Sequence, residues 1–130
     1  MLIQNIVSYT DFQHYLENYK YIIVNISAPW CKPCNLIKPN IQKFVSAIND
    51  IEIIYLKIDN SIYEEDGLFE TFFHMKKIPY FAFIKNKEIL EYITSGDFEN
   101  VSKKIFNFTV LIKEEEKKIL EESFNKNNDF

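Results

Sequence analysis

Residues 21–27 constrain the fold most, because they form a nearly continuous apolar run rich in β-branched side chains. Such runs are typical of central strands that are buried on both faces of a sheet covered by helices. A short connection leads from this run into Cys31, and apolar positions from there to Ile48 repeat at helical spacing. The sequence therefore predicts a buried strand followed at once by a helix, with Cys31 and Cys34 at the helix start.

The rest of the chain predicts further strands and helices in alternation. Apolar runs indicate strands at residues 3–8, 51–58, 80–85 and 88–94. Helical spacing indicates helices after residue 8, within 61–77 behind an acidic loop at 64–66, and from residue 98 onward. The order βαβαβαββα predicts an α/β fold, a mixed sheet of four to five strands with helices on both faces.

Composition and charge exclude several classes of partner. The chain has 130 residues, of which 47% are hydrophobic, enough for one packed domain. Its net charge is −4 and its 15 basic residues include no arginine, so bidentate phosphate recognition and nucleic-acid binding are not expected. No secretory signal is visible, and the apolar segments are shorter than the roughly 18–20 residues of a membrane span. We expect a cytoplasmic protein that does not bind membranes.

The two cysteines are placed for thiol chemistry. Cys31 and Cys34 lie one helical turn apart, close enough to form a disulfide. The helix N-terminus and the neighbouring Lys32 both favour an anion, which lowers the pKa of the Cys31 thiol. Cys34 lies deeper along the helix and should be less exposed. We therefore predict that Cys31 attacks a disulfide and that Cys34 resolves the mixed disulfide.

Two other roles for the cysteine pair are weaker. A disulfide across one helical turn closes a very small loop, and the stability gained grows with loop length. A zinc site needs about four ligands, whereas only His14 and His74 add soft ligands, and neither has a second ligand at metal spacing. We expect no metal, and no cofactor besides the redox-active disulfide of Cys31 and Cys34.

A five-residue motif spans the strand-to-helix junction, Trp30-Cys31-Lys32-Pro33-Cys34. It resembles the W-C-x-P-C active site of the thioredoxin family, and the resemblance extends over about residues 1–110. Ile78-Pro79 is similar to the family's second signature, an isoleucine and a cis-proline that pack against the cysteine pair. Pro39, Asp59 and Gly96 also fit the family pattern.

The resemblance implies a thioredoxin fold and a thiol–disulfide oxidoreductase that reduces protein disulfides. A thioredoxin reductase or a small thiol would then donate the electrons. Pro33 is similar to the reducing members, whereas Lys32 replaces a common glycine and should make the site somewhat less reducing. The resemblance also implies a set of substrate-binding residues, namely Trp30, Lys32, Pro33, Ile78, Pro79 and Tyr80.

Asn25 departs from the family pattern. The family usually buries an aspartate here, on the central strand, where it helps to deprotonate the resolving cysteine. An asparagine amide cannot accept that proton. Asn25 either preserves the packing as a neutral near-isostere or slows the resolving step, and we favour a working but less efficient reductase.

Residues 113–130 extend beyond the compact family pattern. We predict a thioredoxin-like domain at residues 1–112 and a charged C-terminal helical extension and tail at 113–130, with residues 125–130 disordered. A continuous helix would leave Ile119, Leu120 and Phe124 in need of a partner, such as a homodimer or a docking contact. A break near Asn107 would instead let the helix fold back on its own domain.

The extension also leaves a second function open. In that alternative the chain is a thioredoxin-like binding or adaptor module with weak redox activity. The groove beside Ile78-Pro79 and the C-terminal helix would then hold the partner.

Overall fold

The computed structural model describes residues 1–127, and the elements follow in the predicted alternation. In chain order they are β1 (Leu2–Asn5), α1 (Tyr9–Asn18), β2 (Tyr21–Ser27), α2 (Lys32–Ala47), β3 (Ile53–Asp59), α3 (Asn60–Glu65), α4 (Gly67–Phe73), β4 (Tyr80–Lys85), β5 (Glu88–Ile93) and α5 (Phe98–Asn127). In this part of the chain five strands form one sheet, in the order β1-β3-β2-β4-β5. β1, β3 and β2 are parallel, whereas β4 and β5 run antiparallel to their neighbours. The predicted mixed α/β sheet is confirmed.

The central strand β2 separates two apolar cores. Its even-numbered side chains, such as Ile22 and Val24, pack with Phe12 of α1 and with α3 and α4. Its odd-numbered side chains, such as Ile23, pack with α2 and α5 on the opposite face. Because side chains alternate across a strand, a strand that is apolar at nearly every position can bury both of its faces. The prediction of helices on both faces is confirmed.

The region around residues 61–77 differs from the prediction, because it holds two short helices rather than one helix after an acidic loop. Glu64 and Glu65 belong to α3. The carboxylate of Asp66 accepts a hydrogen bond from the backbone N–H of Leu68 at 2.9 Å and begins α4. Asp59 begins α3 in the same way. Two aspartate N-caps in succession start separate helices, and apolar spacing alone does not reveal such a division.

The last helix is continuous, so no break occurs at Asn107. α5 contains 30 residues, a length of about 45 Å at the usual rise per residue. Residues 125–127 are helical, so the predicted disorder is wrong there, and residues 128–130 lie outside the described part of the chain. Buried apolar side chains extend along α5 as far as Ile112. The boundary between residues 112 and 113 stays a prediction.

One polar contact anchors α5 beyond Ile112. The carboxylate of Glu115 accepts hydrogen bonds from the Lys85 ammonium group and, at 3.1 Å, from the Tyr21 hydroxyl. Both bonds lower the pKa of the Glu115 carboxyl, and the bond from Lys85 has the larger effect. α5 is therefore tied to the sheet for about one turn past its last buried apolar side chain.

Candidate active site

The cysteine pair lies where β2 has ended and α2 begins. Cys31 is the N-cap of α2, and its Sγ accepts a hydrogen bond from the backbone N–H of Cys34 at 3.3 Å. The two residues form a disulfide with their Cα atoms 5.3 Å apart. Cys31 is 6% exposed and Cys34 is 3% exposed. An N–H aimed at Sγ and the helix dipole both stabilise a thiolate on Cys31 after reduction.

Hydrogen bonds hold the loop before α2 in place. The N–H of Cys31 donates to the Ala28 carbonyl at 3.1 Å, and the Asn35 side chain donates to the Pro29 carbonyl at 2.7 Å. Trp30, between these anchored residues, is 73% exposed. The loop therefore presents a large aromatic side chain to solvent directly beside Cys31.

The Ile78-Pro79 segment lies against the cysteine pair. Its peptide bond is cis, and Ile78 packs on the small apolar cluster that contains Cys31 and Cys34. On another side, a Cβ added at Gly96 would lie 3.0 Å from the Cβ of Pro33. Lys32 is exposed next to Cys31. The fold thus gathers most of the candidate site residues, which are far apart in sequence, around one disulfide.

The side chain of Tyr80 does not join this group. It is 2% exposed and packs in the opposite core between Phe73 and Tyr92, with ring centroids 6.0 and 5.5 Å away. This burial raises the pKa of its hydroxyl to about 12. Alternation along β4 directs the Tyr80 side chain away from the cysteines, so this side chain is not part of the candidate substrate surface.

A narrow cavity lies beneath Cys34, with room for about one water molecule. Asn25, Tyr55 and Lys57 line it from the sheet, and Lys38 lines it from α2. Asn25 is half-buried, and its amide donates to the Tyr80 carbonyl at 3.2 Å. Asn25 therefore lines the same cavity as the resolving cysteine.

The lysines at this cavity were not among the residues singled out from the sequence. Burial lowers the pKa of the Lys57 ammonium group, and the nearby charge of Lys38 lowers it further. Burial also raises the pKa of the Tyr55 hydroxyl, so it remains protonated. Lysine is abundant in this chain, so no local pattern marks these two, and only the pairing of β2 with β3 brings Lys57 beside Asn25.

Two kinds of structural feature are absent from the described part of the chain. Among residues 1–127, no cluster of three or more histidine, cysteine, aspartate or glutamate side chains is arranged to hold a metal ion. No helix in the same residues has the length and apolar character needed to cross a membrane.

A comparison with protein families matches residues 4–108 to the thioredoxin model. The chain belongs to the thioredoxin family. It is 31% identical to a thioredoxin of Ophiophagus hannah over 98 residues, which cover 74% of this chain and 89% of the relative. It is 27% identical to Thioredoxin H2 of Arabidopsis thaliana over 96 residues, which cover 72% of this chain and 67% of the relative.

Solved thioredoxin structures have the same fold. The thioredoxin of Malassezia sympodialis superposes with a TM-score of 0.71 at 22% identity, covering 83% of this chain and 94% of that one. A thioredoxin of Schistosoma mansoni gives a TM-score of 0.71 at 24% identity, covering 83% and 99%. Family membership and the Cys31–Cys34 pair together make this chain a thiol–disulfide oxidoreductase.

Proposed function

We propose that the chain is a protein-disulfide reductase with Cys31 as nucleophile and Cys34 as resolving cysteine. The placement of Cys31 Sγ at the N-cap of α2, where it accepts the Cys34 N–H, is the observation that carries this proposal. In the reduced protein the Cys31 thiolate attacks one sulfur of a substrate disulfide. The other substrate sulfur leaves with the bonding electron pair and takes a proton from solvent. Cys34 then attacks Cys31, which re-forms the Cys31–Cys34 disulfide and releases the second substrate thiol.

The substrate would lie across the surface between the exposed Trp30 and the half-buried Ile78. Lys32, Pro33 and Pro79 complete this proposed groove around the cysteines, and Tyr80 contributes only backbone. Trp30 offers a large, rigid apolar contact, which costs little side-chain entropy on binding. The groove therefore favours a polypeptide in contact with both sides of the disulfide.

The direction of the reaction follows from the middle residues of the motif. Pro33 adds neither a charge nor a hydrogen-bond donor that would overstabilise the thiolate, so the dithiol remains a good electron donor. We propose that a thioredoxin reductase or a small thiol re-reduces the disulfide, and that the protein works in the cytoplasm, where disulfides are kept reduced.

Insulin reduction tests the proposed function. With dithiothreitol as electron donor, the wild type should speed the precipitation of insulin chains, and Cys31→Ser should leave only the dithiothreitol background. The physical reason is that a serine hydroxyl does not supply the thiolate nucleophile. A wild type that is no faster than Cys31→Ser would exclude reductase activity.

We propose further that Asn25 slows the resolving step. Asn25 lines the same cavity as Cys34, but its amide cannot accept a proton. Asn25→Asp is expected to speed the displacement by Cys34 of a small aromatic thiol bound to Cys31 by at least about tenfold, because a carboxylate can act as general base. Stopped-flow absorbance of the released thiol measures this rate. Asn40→Asp adds the same charge at an exposed position of α2 and should leave the rate unchanged. An unaltered rate in Asn25→Asp would contradict this role.

A second candidate function, that of an adaptor with residual redox activity, is supported by the exposed side chains Ile119, Leu120 and Phe124 on α5. Residues 113–126 carry four lysines and five glutamates, a mixture that suits pairing with a second copy of the same helix. Truncation after Glu116 removes the apolar side chains but retains Glu115. We expect light scattering to show a dimeric wild type and a monomeric truncated chain. A monomeric wild type would exclude this dimer.

A further inference from the structure

The cavity beneath Cys34 is basic on two sides. Parallel pairing of β2 with β3 sets Lys57 directly beside Asn25. Lys38 lies one turn after Cys34 on α2, and therefore on the same side of that helix. Both lysines line the narrow cavity and also the wider cleft next to it, and Cys34 lines both as well. Two lysines from different elements thus line the same cavity as the resolving cysteine.

Among the described residues, no carboxylate lines the narrow cavity itself. Asn25 is a neutral amide, and burial keeps the Tyr55 hydroxyl protonated by raising its pKa. Asp59 lines the wider cleft but not the narrow cavity, and its carboxylate accepts hydrogen bonds from the N–H and the hydroxyl of Ser61 rather than pairing with either lysine. Within residues 1–127, neither Lys38 nor Lys57 forms an ion pair with a carboxylate. The lowered pKa of Lys57, caused by burial and by Lys38, agrees with two close and uncompensated charges.

We propose that Lys57, assisted by Lys38, stabilises the Cys34 thiolate in the resolving step, so that positive charge acts where a carboxylate is lacking. This inference rests on the proposed function. The Cys34 thiol releases its proton to solvent through the cavity. Its thiolate then attacks Cys31 Sγ, the bond between Cys31 and the substrate sulfur breaks, and the substrate sulfur leaves with the electron pair. Lys57 and Lys38 stay protonated throughout, so they act by charge and not as bases.

The two steps can be timed separately with dithiobis(nitrobenzoate) on the reduced full chain. The first thionitrobenzoate is released when Cys31 attacks, and the second when Cys34 resolves the mixed disulfide. Lys57→Met is expected to slow the second release about tenfold at pH 7 and to move its pH midpoint up by about one unit. The first release should stay within about twofold of the wild type, because Cys31 relies mainly on the N-terminus of α2.

Two variants control for effects other than charge. Lys57→Arg keeps the positive charge and should retain most of the second rate. Lys43→Met removes an exposed lysine of α2 that lines neither cavity, and both releases should match the wild type. Lys38 is exposed, so Lys38→Met does not disturb the core and should slow the second release about threefold. That variant decides the question if Lys57→Met fails to fold.

Different results would contradict the role of Lys57 and the proposed function. An unchanged second release in the folded Lys57→Met variant, or equal slowing of both releases, would overturn the role of Lys57. If Lys57→Met does not fold, an unchanged second release in Lys38→Met would overturn the proposal that positive charge at this cavity assists Cys34. A wild type that releases neither thiol would overturn the proposed function itself, and this inference with it.

Discussion

Cys34→Ser is expected to stop the reaction at the mixed disulfide and to convert the protein into a covalent trap for its substrates. The variant keeps Cys31 at the N-cap of α2 and keeps the backbone N–H of residue 34 that points at Cys31 Sγ. Attack on a substrate disulfide therefore continues. A serine hydroxyl cannot displace the substrate thiol, so turnover should fall to background while the adduct accumulates.

The adduct is measured as an added mass on the intact protein and should disappear after treatment with excess dithiothreitol. Cys31→Ser is the matched control, because it retains one cysteine of the pair but lacks the N-capping thiolate. It should form little adduct. Equal adduct formation by the two variants would contradict the proposed division of roles between Cys31 and Cys34.

Phe69→Ala is expected to have the largest effect on stability, lowering the free energy of unfolding by about 3–5 kcal/mol. Phe69 is 0% exposed and lies among aromatic rings that join α1, α3 and α4. The Tyr9 ring meets it edge-on at 5.0 Å between centroids, and the Tyr63 ring stacks on it at 5.8 Å. Removing the Phe69 ring opens a cavity that surrounding rings from three helices cannot readily close.

Denaturant unfolding followed by circular dichroism measures this loss. Small domains are stable by about 5–15 kcal/mol, so Phe69→Ala should shift the unfolding midpoint strongly. Leu68→Ala, at the neighbouring but exposed position of α4, should change stability by about 0.5 kcal/mol or less. A loss below about 1 kcal/mol in Phe69→Ala would mean that the core around α4 is loosely packed.

Local patterns predicted most elements of the fold. The apolar run that became β2 and the helical spacing after Cys31 both report burial, which is the quantity that apolar periodicity measures. Apolar periodicity predicts less about segments whose side chains are exposed. The C-terminal part of α5 is largely exposed, so apolar spacing predicted a helical extension but did not decide whether the helix continues without a break at Asn107. The division between α3 and α4 depends on the side-chain caps at Asp59 and Asp66, which spacing also does not record.

The sequence by itself determined the chemistry and the fold class. Cys31, Cys34 and the helix start that activates them lie within a few residues of one another, so a local motif specifies the reacting groups. Only the tertiary structure decided what surrounds them. Strand register placed Lys57 beside Asn25. The alternation of side chains along β4 placed the Tyr80 side chain in the core with α1, α3 and α4, on the other face of the sheet from α2. Both depend on pairing between distant segments, which arises when the whole sheet assembles.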